Sequence, residues 1–147
     1  MTMRIIWVLF AVFVLTGCAL GTMNTGSFVE DVPEKDAGQI ATRIAELTAA
    51  RLSPGAKVKL VPGPGQSLAS QEIAARLDEA LRARGILVAT AHEAVNGHEL
   101  RYQVTHYGKN WLLRVHLDAV EASMVLTKGQ NGQLSAATPL TIREAAR

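Results

Sequence analysis

Histidine side chains are the groups in this chain best suited to metal binding or acid–base catalysis. They stand at four positions: His92, His98, His106 and His116. The pairs His92-Glu93 and His98-Glu99 lack the His-Glu-x-x-His spacing that places two zinc ligands on one helix face. His106 and His116 fall on neighbouring predicted strands, on which they could be near each other. The spacing favours structural or surface roles for the histidines and predicts no metal site.

Nucleophilic catalysis and nucleotide binding have equally little support. No serine stands in a Gly-x-Ser-x-Gly motif, and nothing identifies a base and an orienting group for one. The turn Pro62-Gly63-Pro64-Gly65 lacks the lysine and the following serine or threonine that a phosphate loop needs. No Gly-x-Gly-x-x-Gly follows a predicted strand. The sequence therefore predicts a protein that is not an enzyme and carries no cofactor.

Cys18 is the only cysteine in the chain, so the chain cannot form an internal disulfide. It follows one positive charge, Arg4, and the apolar run from Ile5 to Leu15. At about 1.5 Å per residue this run reaches roughly 16 Å, about half of a hydrocarbon core. The pattern predicts a secretory signal over residues 1–17, cleaved at a small-residue site. The alternative is an uncleaved signal anchor in which Cys18 is incidental.

The tetrapeptide Leu15-Thr16-Gly17-Cys18 resembles a bacterial lipobox. That resemblance implies a diacylglycerol on the Cys18 sulfur, cleavage before Cys18 and acylation of the new amino group. Two or more acyl chains make membrane attachment long-lived, whereas one chain holds a protein only marginally. Ala19 stands where an aspartate would signal retention in the inner membrane, so the resemblance implies the inner leaflet of the outer membrane, facing the periplasm.

Composition predicts one domain behind this leader. Removing residues 1–17 from the 147 leaves 130 residues, enough for one sizeable core. The 15 basic and 13 acidic side chains nearly balance, so no direct nucleic-acid binding is expected. Residues 18–33 are small and polar and predict a flexible tether, with a single domain over 34–147. Within the tether the apolar pair Phe28-Val29 either packs on the domain edge or docks a partner.

Two helices are predicted from apolar spacing. In the first, from Pro33 to Leu52, Ile40, Ile44 and Leu47 share one face. In the second, Ser67 or Ser70 is the cap, Ile73, Leu77 and Leu81 lie on one stripe, and Gly85 ends the helix. The charged outer face of this helix is expected to be solvated.

Strands are predicted from alternation of apolar and polar residues. Lys57 to Val61 forms a short strand, and Ile86-Leu87-Val88 suits a buried central strand. Runs around Tyr102, Val115 and Met124, separated by turns, indicate an antiparallel meander. A hairpin follows at residues 128–132 and a last short strand at residues 140–143. The prediction is an α+β domain with two helices on one face of a mostly antiparallel sheet that ends in a β-meander.

Taken together, the chain resembles the conjugal transfer lipoprotein family TrbH over nearly its full length. The resemblance rests on the Leu15 to Cys18 start, the leader with Phe28-Val29, the helix before Ser53-Pro54, the Leu77 to Val88 segment containing Arg84-Gly85, the Leu100-Arg101-Tyr102 strand and the hairpin after Gly129. It implies a structural part in a mating-pair formation apparatus, a type IV secretion channel for plasmid DNA. It carries no catalytic residues and no cofactor.

Three functional hypotheses follow. In the first, the chain is an outer-membrane lipoprotein, held by acyl chains on Cys18, that braces other secretion-channel subunits through a sheet edge or face. The second is an unrelated envelope lipoprotein that binds a ligand or assists assembly of another complex. The third is a periplasmic hydrolase or metalloenzyme that uses the histidines.

Overall fold

A computed structural model describes residues 26–65, 67–89 and 96–144 of the chain. Two helices lie within them, α1 at Glu34–Ala49 and α2 at Leu68–Arg82. The same residues contain the strands β1 Phe28–Val29, β2 Lys57–Leu60, β3 Leu87–Ala89, β4 His98–Tyr107, β5 Asn110–Leu117, β6 Val120–Lys128, β7 Leu134–Ala136 and β8 Thr141–Glu144.

Local sequence accounts for α2 from end to end. The Ser67 hydroxyl accepts a 3.1 Å hydrogen bond from the Ser70 N–H, which caps the first turn. Ile73, Leu77 and Leu81 recur every four residues and are completely buried. Gly85 ends the helix with φ +76°, a left-handed conformation that glycine adopts without strain. The Ile86 N–H then bonds to the Leu81 carbonyl at 3.0 Å, so the helix closes in a Schellman motif.

The first helix, α1, begins directly after Pro33, and Glu34 and Asp36 lie in its first turn near the positive end of the helix dipole. Its buried stripe includes Ile40 and Ile44, as their spacing predicts. Both helices pack on the same face of the sheet through these buried residues.

The eight strands form one open, mixed sheet in the order β3-β2-β4-β5-β6-β7. The antiparallel part is the predicted meander, β4-β5-β6, with β7 and β8 both antiparallel to β6 and lying end to end along it. The parallel part consists of β2 with β3, β2 with β4 and β1 with β4. The β2–α2–β3 connection is a crossover through a helix, the connection that parallel strands need. The α+β fold and its two-helix layer are confirmed.

One strand is not where the sequence indicates. The apolar run around Leu87 suits a buried central strand, but β3 lies at the end of the sheet and the Leu87 side chain is exposed. That prediction is wrong because a three-residue apolar run does not distinguish an edge strand covered by a helix from a central one.

The packed core extends ahead of Pro33. The Ser27 N–H donates to the Val61 carbonyl at 3.0 Å, and Val29 and Val32 are buried. At Gly63 a Cβ would lie 1.7 Å from the Ser27 carbonyl oxygen, so only glycine lets the two segments approach this closely. The structure therefore places residues from Ser27 onward against the domain.

An ion pair at the edge of the core joins α1 to β6, with its carboxylate buried and its ammonium partly exposed. Asp36 is buried, and both of its carboxylate oxygens accept hydrogen bonds from the Lys128 ammonium, at 2.6 and 2.8 Å. One turn later, Gln39 bonds to the backbone of the β6–β7 hairpin, accepting from the Leu134 N–H at 2.7 Å and donating to the Gly132 carbonyl at 3.3 Å. Together these contacts fix α1 to the C-terminal hairpin.

Candidate partner-binding surface

Cys18 and the rest of the lipobox, Leu15, Thr16 and Gly17, lie outside the described residues. The described chain begins at Gly26, eight residues after Cys18. Covalent geometry limits the distance between these two residues to about 28 Å. An attachment at Cys18 therefore keeps the start of the folded domain close to whatever Cys18 is attached to.

The Phe28-Val29 pair forms β1, and its two side chains point to opposite faces of the sheet. Val29 pairs with Val104 and is buried beneath the helices. Phe28 pairs with Gln103 on the helix-free face and retains 37% exposure. Of the two residues predicted as a docking pair, only Phe28 is therefore available at the surface, and its role in docking remains a prediction.

The three histidines within the described residues, His98, His106 and His116, lie apart from one another. His98 lies beside the β5–β6 turn, with its Nδ1 2.6 Å from an Asp118 carboxylate oxygen. The other oxygen of Asp118 accepts a 2.9 Å hydrogen bond from the Glu99 N–H. Asp118 has a left-handed φ of +54°, so this contact with the backbone supports the tight turn. The arrangement is that of a turn-stabilising pair.

His106 and His116 lie on neighbouring strands, β4 and β5, but not near each other. His106 stacks against Trp111, with ring centroids 4.0 Å apart. His116 is five residues further along β5, opposite Arg101, so the two positions are separated by about 17 Å. Strand order alone does not specify register, so a place on neighbouring strands does not by itself bring two residues together. Within the described parts of the chain no three His, Cys, Asp or Glu residues could hold a metal ion, and His92 lies outside those parts.

The helix-free face of the sheet carries a charged row that crosses four strands. Strand register places Arg101 opposite His116, His116 opposite Glu121 and Glu121 opposite Arg143. This row lines an open groove of about 570 Å³ together with Arg114. The His116 ring lies 3.8 Å from the Glu121 carboxylate, and an Arg101 nitrogen lies 3.6 Å from Glu99. Neither Arg114 nor Arg143 makes an ion pair with another described residue.

A second groove, of about 430 Å³, lies between α2 and the sheet. Its wall is mainly apolar and includes Leu60, Ala74 and Val88, and the Asp78–Arg82 ion pair, at 2.9 Å, is at its border. Tyr102 lines the groove from β4, and burial raises the pKa of its hydroxyl to about 12. A phenol that stays protonated donates or accepts hydrogen bonds but does not act as a base near neutral pH. The groove is therefore suited to binding.

The sequence did not predict the charged row, although the type of each residue in the row can be read from it. The alternation within β4, β5 and β6 shows which residues leave the core, but not which residues on different strands stand opposite one another. The sequence predicts a turn between the runs around Val115 and Met124, and with that turn at Asp118 and Ala119, counting outward from it pairs His116 with Glu121. The other two pairings depend on strands that are distant in sequence.

No helix in the described residues is long and apolar enough to cross a membrane. No curated protein and no solved structure matches the chain. Residues 22–145 match the family described as conjugal transfer protein TrbH. The matched region contains both helices, the whole sheet and the charged row. The chain belongs to the conjugal transfer protein TrbH family.

Proposed function

We propose that this protein is a lipoprotein of the outer membrane that serves as a structural and assembly component of a conjugative type IV secretion apparatus. It is attached by acyl chains on Cys18, faces the periplasm and binds other channel subunits through its folded domain. The observation that carries the proposal is the family match over residues 22–145, which begins four residues after the lipobox cysteine.

The structure supports an anchored module of this kind. The eight residues from Cys18 to Gly26 reach at most about 28 Å, and β1 follows immediately in the core. The domain is therefore held at the membrane surface with little freedom to move away. Two or more acyl chains make such an attachment long-lived.

The arrangement of charged residues favours binding over chemistry. The grooves described above contain a histidine 3.8 Å from a glutamate carboxylate, arginines and a tyrosine hydroxyl, and among these groups no nucleophile and base are arranged as in a catalytic pair. Open grooves and an exposed β1 side chain are surfaces on which another subunit can pack.

The test is a complementation experiment on the plasmid that encodes the protein. The gene is deleted, and plasmid transfer is measured after supplying the wild-type chain, a Cys18→Ala variant or a Thr25→Ala control from the same leader. We expect deletion to abolish transfer, and the wild type and Thr25→Ala to restore it. The Cys18→Ala variant should fail to restore transfer and should be absent from the outer-membrane fraction.

Two results contradict the proposal, and they do so separately. Normal plasmid transfer after deletion refutes a part in the secretion apparatus. Retention of Cys18→Ala in the outer membrane, at the wild-type level, refutes attachment through the cysteine.

A further inference from the structure

Strand β8 forms an unprotected edge in the described part of the sheet. It pairs with β6 on one side only, and all of its residues are exposed. No side-chain hydrogen bond from another described residue reaches its backbone. An edge strand with free N–H and C=O groups is a template for an additional strand.

Other edges of the same sheet are covered by side chains. In β3, the Leu87 N–H bonds to the carbonyl of Ala56, the residue before β2, so the backbone of the next residue, Val88, points outward. Arg82 of α2 donates to that Val88 carbonyl at 3.2 Å. In β7, Gln39 of α1 accepts from the Leu134 N–H. The helices thus protect β3 and β7 but not β8.

The side chains of β8 differ between the two faces of the sheet. Ile142 lies on the helix side, opposite Ala122, and is 48% exposed, and Leu140 just before the strand is 40% exposed. Arg143 lies on the helix-free side, opposite Glu121, at the end of the charged row. A strand added to β8 would place alternate residues beside these two surfaces.

We infer that β8 binds an extended segment of another transfer protein by strand addition, and that this segment alternates apolar residues with acidic ones. The apolar residues pack on Leu140 and Ile142, and the acidic residues face Arg143. Charge complementarity selects the acid beside Arg143, because Arg143 would be the direct neighbour of the added strand and makes no ion pair with another described residue. The groove that Arg143 lines also contains the acidic residues Asp118, Glu121 and Glu144, so the selection depends on the position of Arg143 at the edge and not on the charge of the groove as a whole. The inference rests on the proposed function and names the surface that such a module uses.

A second copy of the chain fits this edge less well. A symmetric antiparallel pair centred on Thr141 places Leu140 against the partner copy's Ile142 but covers only the short segment around β8. That pair also leaves Arg143 opposite Pro139 of the other copy, which supplies no charge. In a pair centred on Arg143 the two like charges face each other. An acidic partner segment avoids that conflict.

The test uses the full-length protein in detergent and two fluorescent seven-residue peptides. In one peptide valine alternates with glutamate, and in the matched peptide valine alternates with lysine. We expect the glutamate peptide to bind at least about tenfold more tightly, by fluorescence anisotropy. Hydrogen exchange should show new protection at the β8 amides, since these groups gain partners on strand addition.

Two variants, each with a control, test whether Ile142 and Arg143 contact the peptide. Ile142→Lys should weaken binding of the glutamate peptide about tenfold, whereas Leu68→Lys, at an 85% exposed leucine on α2, should not. Arg143→Glu should transfer the preference to the lysine peptide, whereas Lys109→Glu, in the β4–β5 turn, should not. A reversal of preference cannot result from loss of folding.

Equal binding of both peptides, or new protection at β3 in place of β8, overturns the inference. A wild-type dimer that Ile142→Lys dissociates, without peptide binding, also overturns it and assigns β8 to self-association. In cells, Ile142→Lys should fail to restore plasmid transfer to the deletion strain, while Leu68→Lys restores it. If both variants restore transfer that deletion abolishes, the β8 inference fails and the proposed function stands.

Discussion

Replacing Lys128 with methionine removes the partner of a buried carboxylate. In the folded protein the Lys128 ammonium bonds to both oxygens of Asp36, at 2.6 and 2.8 Å, and Asp36 is only 2% exposed, so little water can replace it. Breaking a buried ion pair from one side costs about 3–5 kcal/mol. The helix dipole at the first turn of α1 offsets part of this cost, so we expect a loss near about 3 kcal/mol.

Removing the other partner should cost less. The Lys128 side chain is 32% exposed, so its ammonium can turn to water when the carboxylate is gone. We expect Asp36→Leu to cost about 1 kcal/mol. The double variant, Asp36→Leu with Lys128→Met, leaves two apolar side chains in contact and should recover most of the stability, because well-packed apolar replacements of buried pairs are often neutral.

Urea unfolding followed by circular dichroism measures all four proteins of this cycle. In urea, Lys128→Met should lower the unfolding free energy by about 3 kcal/mol. In thermal unfolding, it should lower the melting temperature by roughly 10 °C. A loss below about 1 kcal/mol, or a double variant that loses the sum of the two single losses, would show that the pair does not act as described.

Three further predictions use the same unfolding assay. Gly63→Ala should destabilise the fold by at least about 2 kcal/mol, because the added Cβ meets the Ser27 carbonyl. Gly38→Ala has open space around its Cβ and should stabilise α1 by about 0.5–1 kcal/mol. Equal effects of the two substitutions on the unfolding free energy would contradict this. The pKa of Tyr102 is raised to about 12, so its stabilisation is complete below pH 10 and is lost as the pH rises from 10 toward 12. The wild type should therefore lose about 2–3 kcal/mol of unfolding free energy over this pH range, and Tyr102→Phe should not. If the unfolding free energies of the two proteins change in parallel with pH, this prediction is wrong. Ser67→Ala should cost about 1 kcal/mol by removing the α2 cap, and a loss near zero contradicts the cap.

Local patterns were sufficient to predict the helices and the meander. For α2, the serine cap, the four-residue spacing from Ile73 and the glycine stop all act within one segment. For β4 to β6, alternation and short turns specify both the strands and their antiparallel order. Each of these features is determined by residues within a few positions of one another.

Features that join distant segments were not predictable in this way. β1 pairs with β4 across more than 70 residues, and only the folded structure brings Phe28 opposite Gln103. The edge position of β3 and the end-to-end placement of β7 and β8 likewise depend on strand order. The charged row and the unprotected edge both arise from this non-local register, so the candidate binding surface could not be predicted from the sequence.

Mass spectrometry of the mature protein from its native membrane tests the central claim most directly. A lipoprotein anchor predicts a chain that begins at Cys18 and carries a diacylglycerol on the sulfur and an acyl group on the amino terminus. A full-length chain that retains Met1 and an unmodified Cys18 thiol would contradict the account.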